Sequence, residues 1–204
     1  MGGEVTCPSC GAPITLAHRS VRIAACSSCE SLVAVQAGGV AIAGSHARLG
    51  GFGSMLELGD RGTVAGRPFS AVGRVRCAYS AGYWDEWYLL FEDGSTAWMQ
   101  EDEGELTLVQ RSRLSGTPPP ASIRPGETID VGGRAVYVRE RGKGWVEGLE
   151  GQLPSSLQKG ETFRYIDGIW DGRVVMLEIS EQEIELFIGD ELDPDDLVID
   201  GGSA

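Results

Sequence analysis

Four cysteines in two short knuckles, Cys7-Pro8-Ser9-Cys10-Gly11 and Cys26-Ser27-Ser28-Cys29, constrain this chain more than any other feature. The pattern is C-x2-C, a fifteen-residue spacer and a second C-x2-C, which is the spacing of a four-thiolate zinc ribbon. Four thiolates satisfy zinc tetrahedrally and leave no open coordination position, so Cys7, Cys10, Cys26 and Cys29 predict one structural Zn2+ that performs no chemistry. Gly11, just past the first knuckle, suits the left-handed backbone that such turns require. Ile14 to Ala25 reads as a strand, a turn and a returning strand, and a ribbon is expected over residues 1–45.

The 204 residues leave room for one further domain, and 42% hydrophobic content suits a globular core. Thirty glycines and nine prolines point to turns and short strands. The net charge of −13 is uneven: residues 178–204 hold ten acids and no Lys or Arg. That imbalance disfavours nucleic-acid binding, because phosphate recognition needs clustered cations; Arg19 and Arg22 in the ribbon are too few. With no signal-peptide pattern, no run of ~18 apolar residues and thiols kept free for metal, a cytoplasmic location is expected.

Beyond the ribbon the signals are β. The Gly-rich stretch Gly44 to Gly53 reads as a linker, and Ser115 to Pro120 as a second break. The strongest strand is Tyr83-Trp84-Asp85-Glu86-Trp87-Tyr88-Leu89-Leu90-Phe91, followed by Asp93-Gly94, which predicts a type I′ hairpin, and by Thr96-Ala97-Trp98-Met99. Counting by twos puts Trp87, Leu89 and Phe91 on the face expected to form the core. A weak repeat aligns Gly59-Asp60, Val64 and Gly66-Arg67 with Gly126-Glu127, Val131 and Gly133-Arg134 at an offset of 67, and Gly160-Glu161 echoes it once more. Either a duplicated β unit or a shared hairpin start would produce it. Glu181 to Phe187 fits a strand or a short helix. The organisation expected is all-β: a four-cysteine zinc ribbon at 1–45, a sheet or barrel-like domain at 54–188 with related units near 54–114 and 122–188, and a solvated acidic tail at 189–204.

A ribbon followed by Leu58-Gly59-Asp60-Arg61-Gly62, Val72-Gly73-Arg74-Val75, the Trp84-Asp85-Glu86-Trp87 strand, Asp93-Gly94, Gly168-Ile169-Trp170 and Leu177-Glu178-Ile179-Ser180 resembles the bacterial DUF4178 family over roughly Leu56 to Ile188. The resemblance implies an all-β domain of uncharacterised activity, often fused to zinc ribbons and encoded beside genes of polyamine metabolism and of membrane-associated stress systems. It assigns no reaction.

No catalytic constellation is legible. His18 lies in the ribbon, where four cysteines already complete a metal site, and His46 lies in the linker. Cys77 between arginines reads as a small buried hydrophobe rather than a reactive thiol. The one site-like cluster is Trp84, Glu86, Trp87 and Tyr88. Glu86 beside aromatic rings suits a cation, while the plainer reading pairs it with Arg74 or Arg76 across the sheet. The function expected is therefore a non-enzymatic module that holds a protein partner, with a sensor of a polyamine-like cation, or an enzyme, at Glu86 as the alternative.

Overall fold

The computed structural model describes residues 3–45, 49, 54–115, 119, 122–181 and 183–201. His46, most of the Gly44–Gly53 linker and most of the proline run lie outside them. Among the described residues the secondary structure is strand, with one 3-10 turn and no α-helix.

Each cysteine knuckle is the turn of a hairpin. β1 (Glu4–Thr6) and β2 (Pro13–Thr15) flank the first, and β3 (Ile23–Ala25) and β4 (Ser31–Gln36) flank the second. The knuckles share one hydrogen-bond scheme. Cys7 N donates to Ala12 O and Gly11 N to Cys7 O; Cys26 N donates to Ser31 O and Glu30 N to Cys26 O. The residue after each second cysteine, Gly11 or Glu30, is left-handed, with φ of 78° and 59°. The expected pairing of the strands around Ile14 and Ala25 is corrected here: β2 returns to β1 and β3 to β4, because each knuckle closes its own hairpin. β5 (Gly39–Ser45) extends the second hairpin.

The rest builds a closed barrel of eight antiparallel strands. β7 (Arg67–Tyr79), β8 (Gly82–Phe91), β9 (Thr96–Asp102) and β10 (Glu105–Ser112) form one meander. β12 (Ala135–Leu153), β13 (Thr162–Trp170), β14 (Arg173–Ile179) and β15 (Ile184–Leu192) form a second. First strand pairs with first, β7 with β12, and last with last, β10 with β15, so neither seam leaves an edge.

Two short strands, β6 (Arg61–Val64) and β11 (Thr128–Asp130), add to β7 and β12. Leu56, Val64, Phe69 and Ala71 pack on the outer face of the first meander, and Ile123, Val131, Val136 and Val138, each 67 residues on, do the same on the second. The turn before each unit is also repeated. Gly59 N reaches Ala71 O and Ala71 N reaches Asp60 O; Gly126 N reaches Val138 O and Val138 N reaches Glu127 O. The acid side chain then accepts from the amide three residues back, Asp60 from Glu57 and Glu127 from Arg124. Glu161 makes the same turn, accepting from Gln158 N, beside Gly160 N bonded to Val146 O. The sequence echo at Gly160-Glu161 is thus a third copy of one strand-start turn.

Three expectations change. Asp93-Gly94 is not a type I′ turn: only Gly94 has positive φ, and Asp93 turns its carboxylate to the Ser95 amide and hydroxyl. The two-positive pattern instead occurs at Ala65-Gly66, Glu103-Gly104 and Asp171-Gly172. The acidic segment after residue 189 is not a free tail as far as Ile199. β15 runs to Leu192, and β16 (Leu197–Ile199) pairs with β6, because Leu192, Leu197 and Ile199 cover the outer cluster around Trp87 and Leu89 while the acids point away. Trp87, Leu89 and Phe91 do form core, but Trp84 and Tyr88 on the opposite face are buried as well. A barrel strand covered from outside is buried on both sides.

The ribbon docks beside residues 73–75 in the middle of β7 and Tyr88 of β8. The long β12 leaves the barrel and pairs with β3 through Gln152 and Leu153. Gln152 accepts from Ala17 N at 2.7 Å and donates to Thr15 O at 2.9 Å. Ile23 and Leu32 of the ribbon share one core with Val75, Leu149 and Leu153.

Candidate functional site

The four knuckle cysteines bring their sulfurs within 4.8 Å of one another. Cys7 to Cys29 and Cys10 to Cys26 are each 3.7 Å apart. A tetrahedron with metal–sulfur bonds of ~2.3 Å has edges of ~3.8 Å, so the cluster is shaped to hold a metal ion. Hydrogen bonds from the Ser31 hydroxyl and backbone N–H bring the Cys29 thiol down to about 6, and the Ser28 and Cys29 amides lower Cys26. Backbone donors thus favour the thiolate at Cys26 and Cys29, while at Cys10 the lowering by the Ala12 amide is outweighed by the neighbouring cysteines, which push the thiol up to about 12. His18 takes no part; its Nδ1 contacts Ser20 Oγ at 2.7 Å, and Ser20 Oγ meets the Tyr88 hydroxyl at 3.0 Å.

The second site is the barrel interior. Alternation sends Val75, Cys77 and Tyr79 of β7, Trp84 and Glu86 of β8, and Gln100 and Asp102 of β9 to one face. Tyr165 and Asp167 of β13 and Met176 and Glu178 of β14 join them there. Two cavities result, about 570 and 470 Å3 when the open solvent at their mouths is counted but with only about 50 and 70 Å3 of room for water-sized molecules, and both are walled by Glu86 and Glu178. The smaller is lined by five carboxylates (Glu86, Asp102, Glu140, Asp167, Glu178) and three aromatic rings (Tyr79, Trp84, Tyr165), with no Lys, Arg or His among its described lining residues. The larger is lined by Glu86, Glu161, Glu178, Glu183 and Glu185 against Cys77, Leu157 and Phe163.

So many acids cannot all be charged in a space with so little water. Two unit charges about 5 Å apart at an effective dielectric of ~20 repel by ~3 kcal/mol. The groups respond accordingly. Burial, with Glu140 and Glu86 nearby, lifts Asp167 to about 7. Burial lifts Glu185 to about 7 despite Arg111, which bridges it to Glu183 at the mouth. Burial lifts Glu86, and burial together with the Glu86 charge lifts Glu178 well above the carboxylate range. Glu86 also accepts from Trp84 Nε1 at 2.8 Å. Among the described residues nothing donates a hydrogen bond to the Asp167 carboxyl, and Asp102 Oδ1 has no partner. Tyr165 turns its hydroxyl to Glu140 at 3.0 Å, and Trp84 stands edge-on to it with centroids 5.5 Å apart. Among the described residues, the cysteine cluster is the only group of potential ligand atoms close enough for one metal ion. The lumen acids line a space too wide for that.

Of the four site residues expected from sequence, Trp84, Glu86 and Tyr88 share the inner face. Tyr88 sits at the ribbon end, packed against Trp98 with the rings tilted by 46° and their centroids 4.9 Å apart. Trp87 faces outward, donating to Glu101 at 3.2 Å. The pairing of Glu86 with Arg74 or Arg76 is corrected: Asp85 takes both, at 2.6 Å from Arg74 and 2.8–2.9 Å from Arg76. Register explains it, since Arg76 lies opposite Asp85 whereas Glu86 lies opposite Val75. Cys77 is buried, and burial pushes its thiol well up, so it is a packing residue. Asp102, Glu140, Asp167, Glu178 and Glu185 had no local signal, because each comes from a different strand.

A four-cysteine cluster shaped to hold a metal ion and an acid-lined, eight-stranded barrel on one shared strand define a two-part all-β protein. The family described as Domain of unknown function (DUF4178) matches residues 57–194, which is most of the chain, and the protein belongs to that family. Its match spans the whole barrel and stops short of the ribbon. Comparison with curated proteins and with solved structures gives no match. No helix among the described residues is long and apolar enough to cross a membrane.

Proposed function

We propose that the barrel is a receptor for a linear organic cation, of the polyamine class, and that the ribbon is its zinc-stapled end wall. The observation that carries this is the smaller cavity: five carboxylates and three aromatic rings with no cationic side chain among its described lining residues. Ammonium groups are held by carboxylates and by ring faces together, and an extended amine can satisfy acids too far apart for one metal ion. Zinc in the four-thiolate cluster supplies folding energy and no reactivity; Cys7, Cys10, Cys26 and Cys29 hold it.

Titration with spermidine, followed by calorimetry and by tryptophan emission, tests the lumen. Glu86→Gln changes the net charge only from −13 to −12, so diffuse attraction to an acidic protein would barely notice it. Binding in the lumen falls at least about tenfold in that variant. Equal affinities for wild type and Glu86→Gln, or no binding to either, would sink the proposal.

A protein-partner role has one supporting observation. The outer edge of β5, Gly-Val-Ala-Ile-Ala-Gly-Ser, carries no charge, and Ile42 is exposed. Such an edge accepts an added strand. Loss of a captured protein on Ile42→Lys, with the fold intact, would support that role.

A further inference from the structure

We propose that the Glu86–Glu178 pair stores a single proton at the junction of the two cavities, and that an arriving cation drives it out, so that uptake by the lumen is coupled to proton release. This rests on the lumen reading above. The geometry is the argument. Glu86 and Glu178 both stand in the wall common to the two cavities, with no cationic side chain among the described lining residues of either, and two carboxyl groups are held in such a place most readily when one of them carries a proton. Glu86 accepts from Trp84 Nε1 (2.8 Å), which favours its ionised form, while burial beside the Glu86 charge pushes Glu178 well up, so the proton is assigned to Glu178.

The surroundings hold the proton there. β7 contributes the thiol of Cys77 and the phenol of Tyr79; β9 contributes Asp102, and β12 Glu140. β13 supplies Asp167 and Tyr165, β15 supplies Glu185, and Glu161 and Glu183 stand on the connecting turns. Two cations approach this ring, and each is already paired. Arg111 of β10 is held at the mouth, 3.1 Å from both Glu183 and Glu185. Arg139 of β12 reaches Asp167 only through its field, and its guanidinium lies 2.6 Å from Glu191 on the outside. Neither lines the two cavities, so among the described residues nothing positive inside competes with the proton. Asp167 is half-buried, faces the smaller cavity and, among the described residues, receives no hydrogen bond there, which leaves it open to a donor. The exchange balances: one ammonium or guanidinium charge enters, the Glu178 O–H bond breaks, and H+ leaves to solvent, with the second carboxylate now paired to the ligand.

Two measurements test it. Infrared spectra of the free protein at pH 8 show a protonated carboxylic acid that Glu178→Gln removes. The amide keeps a donor toward Glu86, so the fold is retained. Calorimetry with a linear bis-guanidine, whose own charge does not titrate, is then run in two buffers of different ionisation heat. The wild type releases about one proton per ligand at pH 8, and its affinity rises about tenfold per pH unit above that. Glu178→Gln binds with no proton release and a flat pH profile. Binding by the wild type without proton release, or the absence of the acid band, overturns the coupling and leaves the receptor reading standing. No binding of the probe or of spermidine to the folded wild type overturns both. The proton count on the wild type needs no variant.

Discussion

The ribbon and the barrel each gather like-charged groups, and they differ in how tightly. Four sulfurs lie within 4.8 Å, close enough for a single ion to neutralise them all. The lumen spreads its carboxylates around two cavities, too far apart for one ion, and keeps them by holding protons and leaving Asp167 without a donor. The difference teaches that a cluster of acids or thiols is read by its diameter. A tight cluster is a metal staple that adds stability. A wide one weakens the fold until something positive and extended fills it.

The largest effect that sharpens this contrast is chelation. Structural zinc contributes on the order of 10 kcal/mol of folding free energy, so removing the metal exposes residues 3–45 to proteolysis while the near-ultraviolet signal of Trp84 and Trp87 in the barrel persists. Simultaneous loss of both would show that the two regions are one cooperative unit. Asp85→Ala comes next. It leaves Arg74 and Arg76, whose side chains are 4% and 7% exposed, without their shared counter-charge. A cost of about 3–5 kcal/mol is expected in chemical denaturation.

The third contrast is pH. Asp167 and Glu185 titrate at about 7 in the fold, above their ordinary values of 3.8 and 4.5. Between those limits the folded state holds protons that the unfolded chain has lost, so stability falls as pH rises. The barrel of the chelated protein is therefore more stable at pH 5.5 than at pH 7.5, by roughly 2–3 kcal/mol, and melts several degrees higher. The ribbon runs the other way, because protonated thiols release metal. A barrel indifferent to pH over this range would mean the lumen acids are solvated. Asp167→Asn is a smaller version of the same test. At pH 8 it stabilises the ligand-free protein by roughly 2 kcal/mol, since it removes a buried charge and leaves an amide, while weakening spermidine binding. The smallest effect belongs to Arg173→Ala, which breaks an exposed ion pair with Asp190 at 2.9 Å and shifts stability by no more than about 0.5 kcal/mol.

The cysteine cluster was legible because its thiols come in local pairs whose spacing alone sets the geometry. The family and the all-β class were legible too, from the order of the Trp84–Trp87 strand, the Asp93-Gly94 turn and the later Gly168–Trp170 and Leu177–Ser180 segments. The lumen was half legible: alternation along β8 separates Glu86 from Asp85 on paper, but which of them meets Arg76 depends on the register with β7, which no single strand encodes. Glu178 is invisible as a site residue from its own neighbours, Leu177 and Ile179, and acquires meaning only when β14 closes against β13 and β15. The acidic end misled because its ten carboxylates outweighed three well-placed apolar residues, Leu192, Leu197 and Ile199, that bind it to the barrel wall.

The barrel closes by joining β7 to β12 and β10 to β15, so each meander supplies both borders that the other lacks. A chain of only four such strands would be left with two naked margins, and the simplest partner able to cover both at once is an identical chain turned about a two-fold axis. Cut between its halves, this protein is expected to yield fragments that remain insoluble alone and recover the cylinder when mixed.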